Sequence, residues 1–486
     1  MSGAEQNGLF STSGFADPAA MKTPRKTFVR AWALATVVAS LSAAEPPKAE
    51  SSFRFTLPPA PFATNLIADS PFGLNTALRP DAPDLEARLR AMQELGVKWA
   101  RQDFVWRRIE RMPGEYHWEA QDELVRKLRA HGIQILGCLA YAPTFHDPRT
   151  TEGVDAFVKF VQAAARHYAG LVDYWQIWNE PNGGFWDGTP DDYARLLAAA
   201  GPAIHGANGE AKVVGLNMAF CDVLWAGRVL KQVPYGAFDI VAFHPYRPPN
   251  APEDKFDWWT LDQYVKVWHR GELPTNYALV NLTFLDQTQE LVKLMRQFGP
   301  PKPIWITEIC WNSHIHPYGT SELRQADLAV RFYTLAMASP AIQKVFWWTL
   351  ADQGDRQFDQ ADMVGLARAD LSPKYAYAAY GWMSRLLEGK RWVRNDAFGP
   401  DVFAVVFNDA AKKEDVMVAW TTRPFAYLRV NNTERGLTFH DVLGTRRFVE
   451  FDPIRTGSLT VPLSESPIYI TAPEGLKATV KPDPGW

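Results

Sequence analysis

Between about residues 71 and 387 the sequence repeats one pattern of apolar and polar positions. A short apolar run ends in polar residues, an amphipathic stretch follows, and another apolar run begins. This alternation reads as βα units wound around a parallel sheet. Eight runs are predicted as strands: Phe72–Asn75, Val97–Asp103, Ile133–Tyr141, Tyr174–Glu180, Ala211–Asn217, Ile240–His244, Ile304–Glu308 and Val345–Leu350. Between them lie helical spacings. Leu85, Leu89, Met92 and Leu95 fall on one face before Gly96, and Val154–Tyr168 is a second example. Eight strands with intervening helices predict a (β/α)8 TIM barrel. A doubly wound sheet would instead carry a glycine-rich phosphate loop after its first strand, which this sequence lacks. Near Lys390 the helical period stops. Short β-type runs follow at Val402–Phe407, Val416–Trp420, Leu428–Val430, Phe448–Phe451, Leu459–Val461 and Ile468–Ile470, separated by turn residues. They predict a small antiparallel β-sandwich. The expected fold class is therefore α/β, with a barrel over residues 70–389, a sandwich over 390–486 and a Pro-rich lead-in over 45–69.

Residues 1–44 read as an N-terminal extension with a signal peptide. Lys22, Arg25, Lys26 and Arg30 precede a short apolar core, Ala31 to Leu41, and Ser42-Ala43-Ala44 offers small residues for cleavage. The segment predicts that Met21 is the true start and that the mature chain begins near Glu45. The product would then be exported, to the periplasm or beyond the cell. The apolar core is shorter than the roughly 20 residues a membrane span needs, and no other stretch qualifies, so no stable membrane span is expected.

With 47% hydrophobic and 22% charged residues, the chain is not disordered. Lys plus Arg is 51 against 54 for Asp plus Glu, a net charge of −3, so no basic excess exists to bind a nucleic acid backbone. Cys138, Cys221 and Cys310 match no metal knuckle and no disulfide framework, and are expected as buried thiols. Most of the 19 Trp, 16 Tyr and 28 Phe are expected in the core, and tryptophan at this level also suits a site that stacks flat apolar faces such as sugar rings or bases.

In such a barrel, chemistry sits at the C-terminal ends of the strands. Tyr174-Trp-Gln-Ile-Trp-Asn-Glu-Pro-Asn182 delivers Asn179 and Glu180 to the end of a fourth strand. Ile304-Trp-Ile-Thr-Glu308 delivers Glu308 to the end of a seventh. Those strands lie nearly opposite each other, so the two glutamates are expected to face across the mouth. A facing carboxyl pair is the machinery of glycoside hydrolysis, one group protonated while the other is ionised. Arg101, near the end of the second strand, is a cation placed to separate their pKa values.

These residues resemble the clan A glycoside hydrolases, retaining (β/α)8 enzymes. The segment Gly96-Val-Lys-Trp-Ala-Arg-Gln-Asp-Phe104, with Trp106, Ile109-Glu110 and Pro113-Gly-Glu-Tyr-His-Trp118, is most similar to family 39 and its relatives. So are Phe238-Asp-Ile-Val-Ala-Phe-His-Pro-Tyr246 and the C-terminal sandwich. Families 5, 39, 42 and 51 share most of this grammar. The resemblance implies Glu308 as nucleophile, Glu180 as acid/base and Asn179 on the sugar 2-hydroxyl. It implies Arg101 as the group holding Glu308 ionised, and His244 or Tyr246 as orienting the nucleophile or a hydroxyl. Trp348 or Trp347 would form a stacking floor, with Trp311 and Tyr141 as further wall. The expected partner is a carbohydrate, whether oligosaccharide, polysaccharide or glycoconjugate, and no cofactor or metal is required. Two other classes stay open. A silent carbohydrate-binding protein could occupy the same scaffold. His314-Ile-His316 admits a metal-dependent hydrolase, although it follows the seventh strand and lacks supporting carboxylates.

Overall fold

A computed structural model of the protein describes residues 69–256, 281–316, 318–431, 436–447 and 458–480. Eight parallel strands close into a barrel: β1 (Phe72–Thr76), β2 (Trp99–Val105), β3 (Gln134–Ala140), β4 (Tyr174–Ile177), β5 (Lys212–Ala219), β6 (Ile240–His244), β7 (Ile304–Ile309) and β8 (Ile342–Trp348). Closure is made by β1, which pairs with β2 on one side and β8 on the other. Each strand is followed by a helix: α1 (Leu85–Glu94), α2 (Glu119–Ala130), α3 (Thr151–His167), α4 (Pro190–Ala207), α5 (Val223–Leu230), α6 (Phe284–Met295), α7 (Glu322–Met337) and α8 (Tyr375–Leu387). A short hairpin, Glu110–Met112 with Glu115–Tyr116, interrupts the second unit.

The apolar runs are long because both faces of every strand are covered. One face packs against the helices in a single large core. The other fills the barrel with Trp99, Leu136, Tyr174, Val214, Ile240, Ala242, Trp305 and Phe346. Gly73 makes room for that filling, since a Cβ there would fall 2.6 Å from the Phe346 ring. The helices begin where the sequence places caps. Thr189 with Asp192, and Thr283 with Asp286, form capping boxes at α4 and α6. Gly96, at φ +75°, takes the left-handed turn beyond α1.

Beyond α8 the chain becomes antiparallel. A six-stranded sheet contains β9 (Arg391–Phe398), β10 (Val402–Asp409), β11 (Glu414–Thr421), β13 (Thr438–His440), β14 (Arg446–Arg447) and β16 (Ile468–Pro473), in the order β9-β10-β11-β16-β13-β14. A three-stranded sheet, β15 (Ser458–Leu463), β12 (Ala426–Asn431) and β17 (Lys477–Val480), covers one of its faces, with Met417, Leu428, Val461 and Ile470 in the shared core. The opposite face of the larger sheet, including Phe407, Val418 and Trp420, packs into the barrel core. Strands β9, β13, β14 and β17 were not anticipated from the sequence. The expected strand Phe448–Phe451 and the expected leader both lie outside the described residues. No helix among the described residues is long and apolar enough to cross a membrane. Cys138, Cys221 and Cys310 are free and buried.

Candidate active site

Glu180 follows β4 through a backbone that few residues adopt. Trp178 (φ 65°) and Glu180 (φ 43°) are both left-handed. Non-glycine residues hold such angles only where the surroundings enforce them. Here the Glu180 N–H donates to the Asn217 carbonyl at 3.0 Å, and the Trp178 N–H to Leu139 at 3.0 Å. Asn217 is itself left-handed (φ 48°) at an irregularity in β5, and its amide donates to the carbonyls of Ile177 (2.7 Å) and Val214 (3.1 Å). The twist is therefore pinned from β3 and β5. It delivers a carboxyl that is 1% exposed. Its Oε1 lies 2.7 Å from His244 Nδ1, while its Oε2 has no hydrogen-bond partner among the described residues.

Glu308 arrives by a different device. Val345 pairs with Ile306 but Trp347 with Ile309, so β7 has one residue more than β8 between those pairs. This is a bulge, and it re-aims the strand. Thr307 and Glu308, adjacent in sequence, both turn to the site. Three donors converge on the Glu308 carboxylate: Tyr246 hydroxyl on Oε1 (2.6 Å), and Asn75 amide (2.9 Å) and Arg101 guanidinium (3.2 Å) on Oε2. One oxygen of Glu180, one of Glu308 and a ring nitrogen of His244 all lie within 4.8 Å of one another.

Arg101 links the two halves. It is 2% exposed, and besides Glu308 it donates to Gln176 Oε1 (2.9 Å) and Asn179 Oδ1 (2.5 Å). With its oxygen occupied, Asn179 retains an NH2 that makes no hydrogen bond among the described residues. Burial raises the Glu180 carboxyl to about 8, only partly opposed by Arg101. Burial also pushes Glu308 upward and Glu180 adds to it, while Arg101 and the Tyr246 hydroxyl counter it. Three donors, one of them a full charge, against a single imidazole place the proton on Glu180 and the charge on Glu308. His244 is pulled down to about 3 by burial, so its ring is neutral.

The surroundings sort the remaining expected residues. Trp348 and Tyr141 are partly exposed, with Arg107 5.4 Å from the Tyr141 ring centre. Trp347 is fully buried and stacks on Trp311 at 6.2 Å. Trp311 corrects the expectation of a wall surface. It too is fully buried, and its indole N–H donates to the Asn250 carbonyl at 2.9 Å, so it backs the loop after β6 from behind. His244 is also wholly enclosed, and it bonds Glu180 rather than the nucleophile candidate. His314 and His316 stack on each other in the loop after β7 and belong to no cluster of metal-ligating residues among those described. Four residues around the site were not singled out: Asn75, Gln176, Asn217 and Thr307. Asn75 carried a readable signal, since it is the polar residue ending the first apolar run.

Glu180, His244 and Glu308 have the donor types of a metal site. Their atoms are otherwise engaged. Both His244 nitrogens are bonded, and the Glu308 oxygen nearest His244 already faces the Arg101 guanidinium. A fixed positive charge 3.2 Å from that oxygen disfavours a divalent cation there.

The fold is the one seen in solved glycoside hydrolases of families 39 and 30. One such structure is a family 39 enzyme from the gut symbiont Bacteroides cellulosilyticus WH2. It has a TM-score of 0.70 and 22% identity, over 83% of this chain and 81% of that one. A monomeric beta-xylosidase from Caulobacter crescentus CB15 is similar with a TM-score of 0.57 and 15% identity, over 85% and 98%. The family 30 subfamily 8 xylanase Xyn30A from Clostridium acetobutylicum gives 0.57 and 13%, over 83% and 95%. The sequence model of glycoside hydrolase family 42, described as beta-galactosidase, matches residues 80–148. No curated protein matches the chain.

Proposed function

We propose that this protein is a retaining O-glycosidase acting by double displacement. The observation that carries the reading is the pair Glu180 and Glu308, whose nearest oxygens lie within 4.8 Å while their bonding partners divide the proton and the charge between them. Retaining enzymes separate their carboxyl groups by about 5–5.5 Å and inverting ones by about 6.5–9.5 Å. The similarity to glycoside hydrolases of families 39, 30 and 42 supports the same class.

In this reading Glu308 attacks the anomeric carbon, guided by Tyr246 and Asn75. Glu180 protonates the leaving oxygen and then deprotonates the incoming water. The Asn179 NH2 meets the sugar 2-hydroxyl, and Trp348 and Tyr141 offer apolar faces to the ring. Export belongs to the same proposal, supported by the basic and apolar segment from Lys22 to Leu41. Fractionation of expressing cells checks it, and a cytoplasmic product retaining that segment would refute it.

The test is substitution at both glutamates. Glu308→Ala is expected to lower kcat by at least about 10⁴-fold on every glycoside that the wild type cleaves. Glu180→Ala is expected to lose about 10²–10⁴-fold on natural glycosides, and much less on aryl glycosides with activated leaving groups. Near-native turnover by either variant would remove that residue from the mechanism.

A further inference from the structure

Both nitrogens of the enclosed His244 ring are engaged. Nδ1 lies 2.7 Å from Glu180 Oε1, and Nε2 lies 2.9 Å from the Thr307 hydroxyl. Thr307 is fully buried and reaches the ring because the β7 bulge turns it and Glu308 to the same side. A threonine hydroxyl both donates and accepts, so its direction depends on the imidazole tautomer.

We propose that Thr307 is a positioning residue: its hydroxyl donates to His244 Nε2, holds the imidazole as the Nδ1–H tautomer, and so places the acidic proton of Glu180 on Oε2. This deepens the glycosidase reading and rests on it. A neutral imidazole has one N–H and one lone pair. Were the proton on Nε2, Nδ1 would be an acceptor, and Glu180 would spend its proton in a bond from Oε1 to histidine. With the proton on Nδ1, Oε1 must accept. Only Oε2 is then left to carry the acidic proton. Oε2 is buried and has no partner among the described residues, and in this reading the glycosidic oxygen takes that place.

The ionised half of the cycle demands the same arrangement. A carboxylate can only accept, so Nδ1 must donate to it, Nε2 must accept, and Thr307 must donate. One tautomer therefore serves both halves. In the first, the proton on Oε2 passes to the leaving oxygen as its bond to the anomeric carbon breaks and Glu308 forms the new one. In the second, water bonds that carbon, returns a proton to Oε2 and releases Glu308. Thr307 exchanges no proton in either. Among the described residues the ionisable groups near the ring are Glu180, Glu308 (3.9 Å from Nδ1) and Arg101, which reaches it through Glu308.

Two measurements on the whole protein test this. The first compares kcat/KM of wild type, Thr307→Val and Thr307→Ser on aryl glycosides of graded leaving-group acidity. Thr307→Val is expected to lose at least about tenfold more on poor leaving groups than on activated ones, with Thr307→Ser restoring most of the difference. An equal loss across the series, or no loss, would overturn the proposal. The second records ¹⁵N shifts of histidine-labelled wild type, with His244 assigned by His244→Asn. A protonated Nδ1 and bare Nε2 are expected, and a protonated Nε2 would overturn the proposal. A wild type that cleaves no glycoside would defeat the glycosidase reading instead, while the ¹⁵N shifts would still decide the tautomer.

Discussion

Glu180 and Glu308 share one chemistry and differ in company. Glu308 receives a hydroxyl, an amide and a guanidinium, whereas among the described residues Glu180 meets one neutral imidazole and keeps an oxygen without a partner. With its carboxyl raised from 4.5 to about 8 by burial, Glu180 stays protonated through neutrality. The rate on a poor leaving group is then expected to fall as pH rises through about 8. Burial holds the His244 ring down to about 3 and the Tyr246 hydroxyl well above 10, and Arg101 keeps its proton throughout. On that same substrate the residual activity of Glu180→Gln should lack this limb, and its persistence would assign it to another group. The sign for stability follows from the same shift. The folded state holds this proton more tightly than the unfolded state, so Glu180 disfavours folding increasingly as pH rises from 4.5 toward 8.

The barrel strands were legible in sequence because each is sandwiched between helices and interior, which makes it an apolar run ending in polar residues. The same rule exposed Glu180 and Glu308. It failed where burial is one-sided or absent. Strand β9 lies at a sheet edge with Arg391, Trp392 and Val393 exposed, so neither face carries an apolar signature. The bulge at Thr307–Glu308 left no trace either, because one extra residue in a six-residue run does not alter its composition. Asn75 and Thr307 matter through partners more than 60 residues distant, and a strand pattern holds no information about such pairings. Trp311 was misplaced for a related reason. Its neighbours in sequence mark the mouth, but its side chain turns behind the loop that it supports.

At the scale of the whole molecule, the sandwich is joined to the barrel by buried charge as well as by apolar packing. Arg331 on α7 forms a two-pronged bridge to Glu253 in the loop after β6 (2.7 and 2.8 Å), and the Trp420 indole of β11 donates to the same carboxylate at 2.5 Å. Arg331 and Glu253 are 1% and 3% exposed. Removing one partner of such a pair strands the other charge, so Glu253→Gln should lower unfolding stability by about 3–5 kcal/mol. Denaturant unfolding measures this, and a loss under about 1 kcal/mol would mean that water reaches the joint. The loop after β6 also carries Asn250, the acceptor for Trp311, so the sandwich braces one side of the mouth.

The central claim is that Glu180 and Glu308 act in turn on one anomeric carbon. Its most direct measurement is the anomeric configuration of the first sugar released, followed by proton NMR before mutarotation. Double displacement predicts a product with the configuration of the substrate. An inverted first product would contradict it.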